Sequence, residues 1–456
     1  MSEKNNVEEL VKRSRAAQKQ FEFATQEQAD AAAKAVCKVI FDNAERLASL
    51  AIEETGMGNY ADKVVKCRTK TQLIWNYMKG KKTVGVISRD EKTKMLEVAK
   101  PMGVVASVIP STNPIVTPMS NAACALKTRN SIVFSPHPKA NRCTMEAVRL
   151  FQAELEKLGL PKDLVLTLEY PDKEESTRIM SLADITVATG GSGLVRRAYS
   201  SGKPAIGVGP GNVQCIVDDD VNLGKAADDV ISGRIFDNGL ICLGEQTVFV
   251  PISKYDAFVA ELQCRGTYYV DNPAEKEKIR NAIFPNGGPI NRDITGQDVM
   301  KVAEIAQIEV PAGTRMIAVK GDAVGEAEQL CREKMCPVLT LIPYETFEEG
   351  VDMMCQNLEF EGKGHSVGVH SNNQEHIEYA AIKCPVTRVI INQPTGTTGG
   401  GAYNNCFIPT TTLGCGSWGG NSFSDNFNYR HLLNISHVGF PHENTLVPSA
   451  EEIWAD

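Results

Sequence analysis

Thirteen cysteines are spread along the 456-residue chain, and one stands where a nucleophile would be useful. The segment Phe236-Asp-Asn-Gly-Leu-Ile-Cys242-Leu-Gly-Glu-Gln246 puts Cys242 just past Asn-Gly, at the joint between two lobes. A thiolate can attack a carbonyl and later leave, and a helix N-terminus lowers a thiol's pKa. The residues after Cys242 are read here as opening such a helix. A buried structural thiol is the competing reading for any one cysteine of thirteen, and the position between lobes sets Cys242 apart. A second stretch, Ala188-Thr189-Gly190-Gly191-Ser192-Gly193, lies between a β-branched run and a helical one. Glycines there allow close backbone approach to a ligand, and a helix start favours anions. The order is not the G-x-G-x-x-G fingerprint, and a plain turn is the alternative. A further cluster, Gly207-Val-Gly209-Pro-Gly-Asn212, follows one turn signal later. Asn113, in Ile109-Pro-Ser-Thr-Asn-Pro114, falls just past a strand end, where ligands of open α/β sheets gather. Its amide can donate to a developing oxyanion, or it can simply form the turn before Pro114. His365, in Gly362-Lys-Gly-His365, is one of seven histidines. It is either a general base on a Gly-rich turn or an exposed loop residue.

These residues need a scaffold. The spacing of apolar residues predicts helices over 7–21, 26–54 and 61–77. Short β-branched runs follow at 104–109, 131–134, 165–168, 185–188 and 214–217, with helical stretches at 145–157 and 194–200 between them. Strand alternating with helix implies a parallel sheet with covered faces. From about residue 233 a second alternation begins, with strands at 248–250, 316–319, 338–342, 366–369 and 388–391. Helical stretches near 253–263, 273–283 and 345–356 separate them. The tail from about 394 is rich in Gly, Asn and Thr, a composition suited to packing on another lobe or subunit. Net charge is −8, which disfavours nucleic acid or an anionic membrane as partner. No apolar run nears the roughly 18 residues of a membrane span, and the start MSEKNNVEEL has no secretory pattern. With no CxxC pair and no His beside Cys331 and Cys336, a metal site is not expected, and the thiols read as reduced and cytoplasmic.

Taken together, these pieces resemble the aldehyde dehydrogenase superfamily over nearly the whole chain, and specifically its CoA-acylating branch. The motif Leu413-Gly-Cys-Gly-Ser-Trp-Gly-Gly-Asn-Ser422 resembles acylating enzymes, including the aldehyde half of bifunctional alcohol/aldehyde dehydrogenases. Glu333-Lys-Met-Cys-Pro337, Asn392-Gln-Pro, Thr410-Thr-Thr-Leu-Gly-Cys-Gly, Val447-Pro-Ser and Glu452-Ile-Trp are most similar to CoA-dependent succinate semialdehyde dehydrogenases. The resemblance implies an α/β fold of two parallel-sheet, Rossmann-like lobes plus a small oligomerisation arm. Residues 1–232 would bind NAD(P), 233–415 would form the catalytic domain with Cys242, and 416–456 would be the return segment and arm. It implies Cys242 as nucleophile, Asn113 as oxyanion donor, Thr189 to Gly193 as the pyrophosphate turn and Glu333 at the nicotinamide ribose. Ser135, His137, Pro138 and Lys139 would face the adenosine ribose, so NADP and NAD both stay open. Gly207 and Gly209 complete the expected cofactor site.

Hydrolytic relatives carry a Glu that activates water where this chain has Gly207. Without that base a thioester should outlive water attack and await CoA; His365 could assist the CoA thiol. The favoured substrate is succinate semialdehyde, with sulfoacetaldehyde or acetaldehyde as alternatives. An anionic aldehyde needs a donor-rich anchor, drawn from Thr395, Thr397 and Thr398 or from Arg129, Arg142, Arg196, Arg197 and Arg234. A homodimer or dimer of dimers is expected, without an appended alcohol dehydrogenase domain. The rivals are a non-acylating aldehyde dehydrogenase, a glutamyl-phosphate-type reductase and a catalytically dead binding protein.

Overall fold

The computed structural model describes residues 6–441 and 447–455, so the ends of the expected first domain and parts of the expected arm lie outside the described residues. Four helices come first: α1 (Val7–Phe21), α2 (Gln26–Asp42), α3 (Ala44–Thr55) and α4 (Tyr60–Met78). The helix expected over 26–54 is two helices. At Asn43 the side-chain amide donates to Val39 O (2.8 Å), competing with the backbone ladder, and the chain bends there. Gly56 then ends α3 in the left-handed conformation (φ 67°), which a glycine adopts without a Cβ penalty.

Strands β1 (Gly85–Asp90) and β2 (Met95–Pro101) form an antiparallel hairpin. Then β3 (Val104–Val108), β4 (Ser131–Ser135), β5 (Val165–Thr167), β6 (Ile185–Thr189) and β7 (Ala205–Val208) build a parallel sheet in the order β5-β4-β3-β6-β7. Helices α5 (Val116–Lys127), α6 (Asn141–Lys157), α7 (Lys173–Leu182) and α8 (Ser192–Tyr199) cover its faces. Every residue of β3 and β4 is buried, as strands covered on both sides must be.

The second parallel sheet holds β8 (Val213–Val217), β9 (Glu245–Pro251), β10 (Thr267–Val270), β11 (Met316–Lys320), β12 (Val338–Tyr344), β13 (Gly364–His370) and β14 (Val386–Ile391). Their order is β10-β11-β12-β9-β8-β13-β14. The sheets therefore divide the chain earlier than the expected boundary at 232/233. β8, expected in the first lobe, lies between β9 and β13 at the heart of the second, and only residues 209–212 carry the chain across. Periodicity finds a buried strand but cannot say which sheet it joins. The helix α9 (Leu223–Ile235) leads from β8 towards the Cys242 loop.

The return segment contributes β15 (Leu433–Gly439), antiparallel to β2, so that β1, β2 and β15 form a small third sheet. These three strands are mostly exposed and carry no apolar run, which is why the sequence reading passes over them. All thirteen cysteines are free thiols. No helix among the described residues is long and apolar enough to cross a membrane.

One buried amide fastens the return segment to the first lobe. Asn130 Oδ1 accepts from Met102 N (2.7 Å) and Gly103 N (2.8 Å), while Asn130 Nδ2 donates to Leu432 O (2.8 Å). Asn130→Ala leaves two inward backbone donors unpaired and should cost about 3 kcal/mol. Urea unfolding of the variant measures this; a loss under about 0.5 kcal/mol would show that water replaces the amide.

Candidate active site

A cavity of about 870 Å³ opens over the carboxyl ends of the first sheet. The loop after β3 brings Ser111, Thr112 and Asn113 to it, and the loop after β4 brings His137 and Pro138. The turn after β6 supplies Thr189, Gly190 and Gly191, and the link after β7 supplies Gly209 and Pro210. From the second lobe come Cys242, Arg292, Glu333 and Met335, and from the return segment Thr411 and Leu413. Most of the residues singled out in the sequence thus line one space.

Others do not. Ser135 is buried and shares a hydrogen bond with Ser176 (2.7 Å). The Lys139 side chain is exposed outside the cavity. Ser192 lines a neighbouring space with Arg196, Tyr199 and Cys415. Gly207 is also off the cavity wall: a Cβ there would point at the Tyr199 ring (2.9 Å) and Val195 (3.0 Å). A carboxylate at this position has no room, because the ring occupies its place. Nothing lies within 4 Å of a Cβ built on Gly209 or Gly191, which leaves the backbone open to a ligand.

The expected helix after Cys242 is absent. Residues 243–244 run directly into β9, so no helix dipole acts on the thiol. Burial instead pushes the Cys242 thiol up to about 12, and Glu333 and Cys415 push the same way. Glu333 is itself raised to about 8, by burial and then by Glu361, against Arg234. At neutral pH its carboxyl is largely protonated, so little of it is present as carboxylate. The other carboxylate on the wall, Asp172, accepts from Glu175 N (2.7 Å) as the cap of α7.

His365 is no loop residue. It is fully buried at the start of β13, and both ring nitrogens lack a hydrogen-bond partner. Burial and then Arg388 hold it neutral, far below the usual histidine range. A Cβ on Gly211 would meet the Cys242 carbonyl oxygen and His365 Cε1 (3.1 Å), so this glycine is needed for close packing of the three segments.

The expected anionic anchors fare unevenly. Thr395 Oγ1 donates to Leu243 O (2.6 Å) and Thr398 Oγ1 to Pro394 O (2.8 Å), so both hydroxyl donors are used. None of Thr395, Thr397 and Thr398 lines the cavity. Arg129 and Arg234 are buried and hold backbone carbonyls, and Arg142 pairs with Glu53 (3.0 Å). Only Arg197 reaches the cavity, with its Nε buried and unpartnered.

The sequence reading missed a row of ammonium groups. Lys63, Lys66 and Lys70 fall on one side of α4, three and four residues apart. Lys63 (3.1 Å) and Lys66 (2.6 Å) both pair with Asp237 Oδ2, which is wholly buried. Lys66 Nζ also donates to Asn113 Oδ1 (3.0 Å). Lys70 donates to Gly400 O (2.9 Å) and forms no ion pair among the described residues. Burial lowers Lys70 to about 8, Lys66 adds to the shift, and Cys242 acts on it in the opposite sense. The signal was faint but present: lysines alternate with Val64, Cys67, Thr71 and Ile74 along a helix with little polar–apolar asymmetry.

Comparison with known proteins gives this arrangement a family. Residues 1–306 match the family model described as the aldehyde dehydrogenase family. The chain belongs to that family. It is 49% identical to a succinate-semialdehyde dehydrogenase (acetylating) of Clostridium kluyveri over 454 residues, covering 100% of both chains. It is 38% identical to a sulfoacetaldehyde dehydrogenase of an Acholeplasma species, covering 98% of this chain and 93% of that one. An acetylating aldehyde dehydrogenase from Geobacillus thermoglucosidasius has the same fold, with a TM-score of 0.93 and 39% identity. That match covers 97% of this chain and 98% of the other. The aldehyde dehydrogenase fold read from the sequence is therefore the fold of this chain.

A thiol held near 12 reacts in proportion to its small thiolate fraction. Alkylation of Cys242 by iodoacetamide, followed on its own peptide by mass spectrometry, should accelerate about tenfold per pH unit from pH 7 to 10. A plateau below pH 9 would mean that the resting thiol is already activated.

Proposed function

We propose that the chain is a CoA-acylating aldehyde dehydrogenase that oxidises a short anionic aldehyde, succinate semialdehyde first. The observation that carries the reading is the single cavity shared by Cys242, Asn113, Glu333 and the Thr189–Gly191 turn. The turn after β6, the open backbone at Gly191 and Gly209, and the cations Lys173, Arg197 and Arg292 fit an anionic dinucleotide, NAD or NADP. When bound, the nicotinamide accepts the hydride and CoA carries away the acyl group.

The chain's own residues do the rest. Cys242 sulfur bonds the aldehyde carbon, and Asn113 Nδ2 with the Cys242 backbone N–H holds the oxygen as it gains charge. Glu333, on the cavity wall, would hold the nicotinamide ribose, where a largely protonated carboxyl can both donate and accept. Water attack on the Cys242 thioester is slow because position 207 carries no carboxylate and Glu333 is largely protonated near neutrality. His365, behind the Cys242 loop, has two unpartnered ring nitrogens, but it is fully buried, off the cavity wall and far below the usual histidine range, so it is poorly suited to take a proton from the CoA thiol.

Lys70, which lies outside the cavity wall and gives one of its three N–H donors to Gly400 O, is the cation that supports an anionic substrate. Its ammonium is close enough to the nucleophile to feel it electrostatically and has no carboxylate partner among the described residues. The relatives named for succinate semialdehyde and sulfoacetaldehyde act on substrates with an acid group at the far end. The small sheet of β1, β2 and β15, with Val86, Met95, Ile435 and Val438 exposed, suits a homodimer or dimer of dimers. A cytoplasmic setting fits thirteen free thiols.

The deciding assay follows NAD(P)H absorbance with succinate semialdehyde, sulfoacetaldehyde and butanal, with and without CoA, using both nicotinamides. Sustained turnover should need CoA, and without it a burst of one equivalent or less per site should appear. Steady turnover without CoA would overturn the acylating reading.

Lys70→Met should lower kcat/KM for succinate semialdehyde about 10- to 100-fold, the worth of one charge-assisted hydrogen bond. Butanal should lose much less. Equal losses with both aldehydes would remove Lys70 from carboxylate recognition.

A further inference from the structure

We propose that Lys66 is a positioning residue that fixes and strengthens Asn113 as the oxyanion donor, an inference that rests on the role given to Asn113 above. An asparagine amide can present its oxygen or its NH2 group to a neighbour, and only the NH2 end can stabilise a negative oxygen. In this fold the choice is made by charge. Lys66 Nζ donates to Asn113 Oδ1 at 3.0 Å, and an ammonium accepts nothing, so the NH2 end of Asn113 must be the other end. Among the described residues Asn113 Nδ2 is given to no protein acceptor, and Asn113 lines the cavity. A cation on the carbonyl also draws electron density from the amide nitrogen and makes its N–H a better donor.

Lys66 itself is held in place. It is 6% exposed, and its ammonium lies 2.6 Å from Asp237 Oδ2. Asp237 stands in the left-handed region (φ 52°) five residues before Cys242, on the loop that carries the nucleophile. Its backbone N–H donates to Asp62 Oδ2 (2.7 Å), and its Oδ1 accepts from Asn59 N (3.0 Å), so α4 grips that loop from both sides. One ammonium thus measures the nucleophile's loop against the oxyanion donor. Lys63 shares the same carboxylate but does not touch Asn113, which separates a positioning role from simple ion-pair stability.

The experiment is a double-mutant cycle on the pre-steady-state NAD(P)H burst, where product release does not intrude. Asn113→Ala should slow the burst about 100- to 1,000-fold, as loss of one oxyanion donor does. Lys66→Met should slow it about 10- to 100-fold while nicotinamide affinity, read by tryptophan fluorescence, stays the same. In the Asn113→Ala background, Lys66→Met should add less than about threefold, because its effect passes through the amide. Lys63→Met should leave the burst within about threefold of the unaltered protein. Multiplying effects in the double variant, equal losses for Lys63→Met and Lys66→Met, or an unchanged burst in Lys66→Met would each overturn the inference. An unchanged burst in Asn113→Ala would instead overturn the role of Asn113 itself, and this inference with it.

Discussion

Asp237 is a carboxylate wholly out of water with two ammonium groups against it. Burying any one of these charges alone would cost several kcal/mol, and the carboxylate keeps a partner while either ammonium stays in place. That condition links three parts of the chain. α4 cannot shift without stranding Lys63 and Lys66, the loop before Cys242 cannot shift without stranding Asp237, and the loop after β3 is tied to Lys66 through Asn113. The two lobes meet at a charge cluster whose geometry is set by electrostatic need, and the reactive groups are arranged around it. The left-handed backbone at Asp237 and Asn238 is strain that this cluster holds in place.

The same burial that makes the cluster rigid keeps the resting site neutral. The Cys242 thiol, the Glu333 carboxyl and the His365 imidazole are each displaced towards their uncharged forms, and burial is the largest cause in all three. In the proposed mechanism, a neutral thiol beside a largely protonated carboxyl leaves little base to activate water and favours persistence of an acyl-thioester. Asn113 and Lys70 are held by hydrogen bonds in this neutral setting, Asn113 by Lys66 and Lys70 by the Gly400 carbonyl.

The parts of this design that were legible in the sequence are those written locally. β-branched runs gave the buried strands of both sheets except β7 and β10, and Cys242, Asn113, Glu333 and the Thr189–Gly191 turn do share one cavity. What could not be read depends on distance in the fold. β8 looks like its predecessors but pairs with β9 and β13. Cys242 was read at a helix start, yet β9 follows it and the thiol moves up rather than down. Lys66 is separated from Asp237 by 171 residues, and a lysine on a helix face ordinarily means solvent. His365 stands among glycines, which suggested a loop, but Gly364 (φ 88°) is there because a Cβ would strike the Cys415 carbonyl.

That last comparison extends to the link between the sheets. Gly207 to Asn212 was read in the sequence as a second glycine cluster, with Gly207 and Gly209 in the cofactor site, and of these two Gly209 lines the cavity. Gly211 serves a different end, since its missing Cβ lets the Cys242 carbonyl and His365 close around it. Asn212, wholly buried, donates from one amide nitrogen to Cys331 O (2.8 Å) and Glu361 O (3.0 Å), fixing the segments on either side of Glu333 and His365. The four residues 209–212 therefore do three things at once: they pass the chain between sheets, leave open backbone at the cavity wall, and set the spacing of the Cys242 loop from His365. A link this short has no slack to absorb a substitution, so its glycines answer to packing on one side and to ligand on the other.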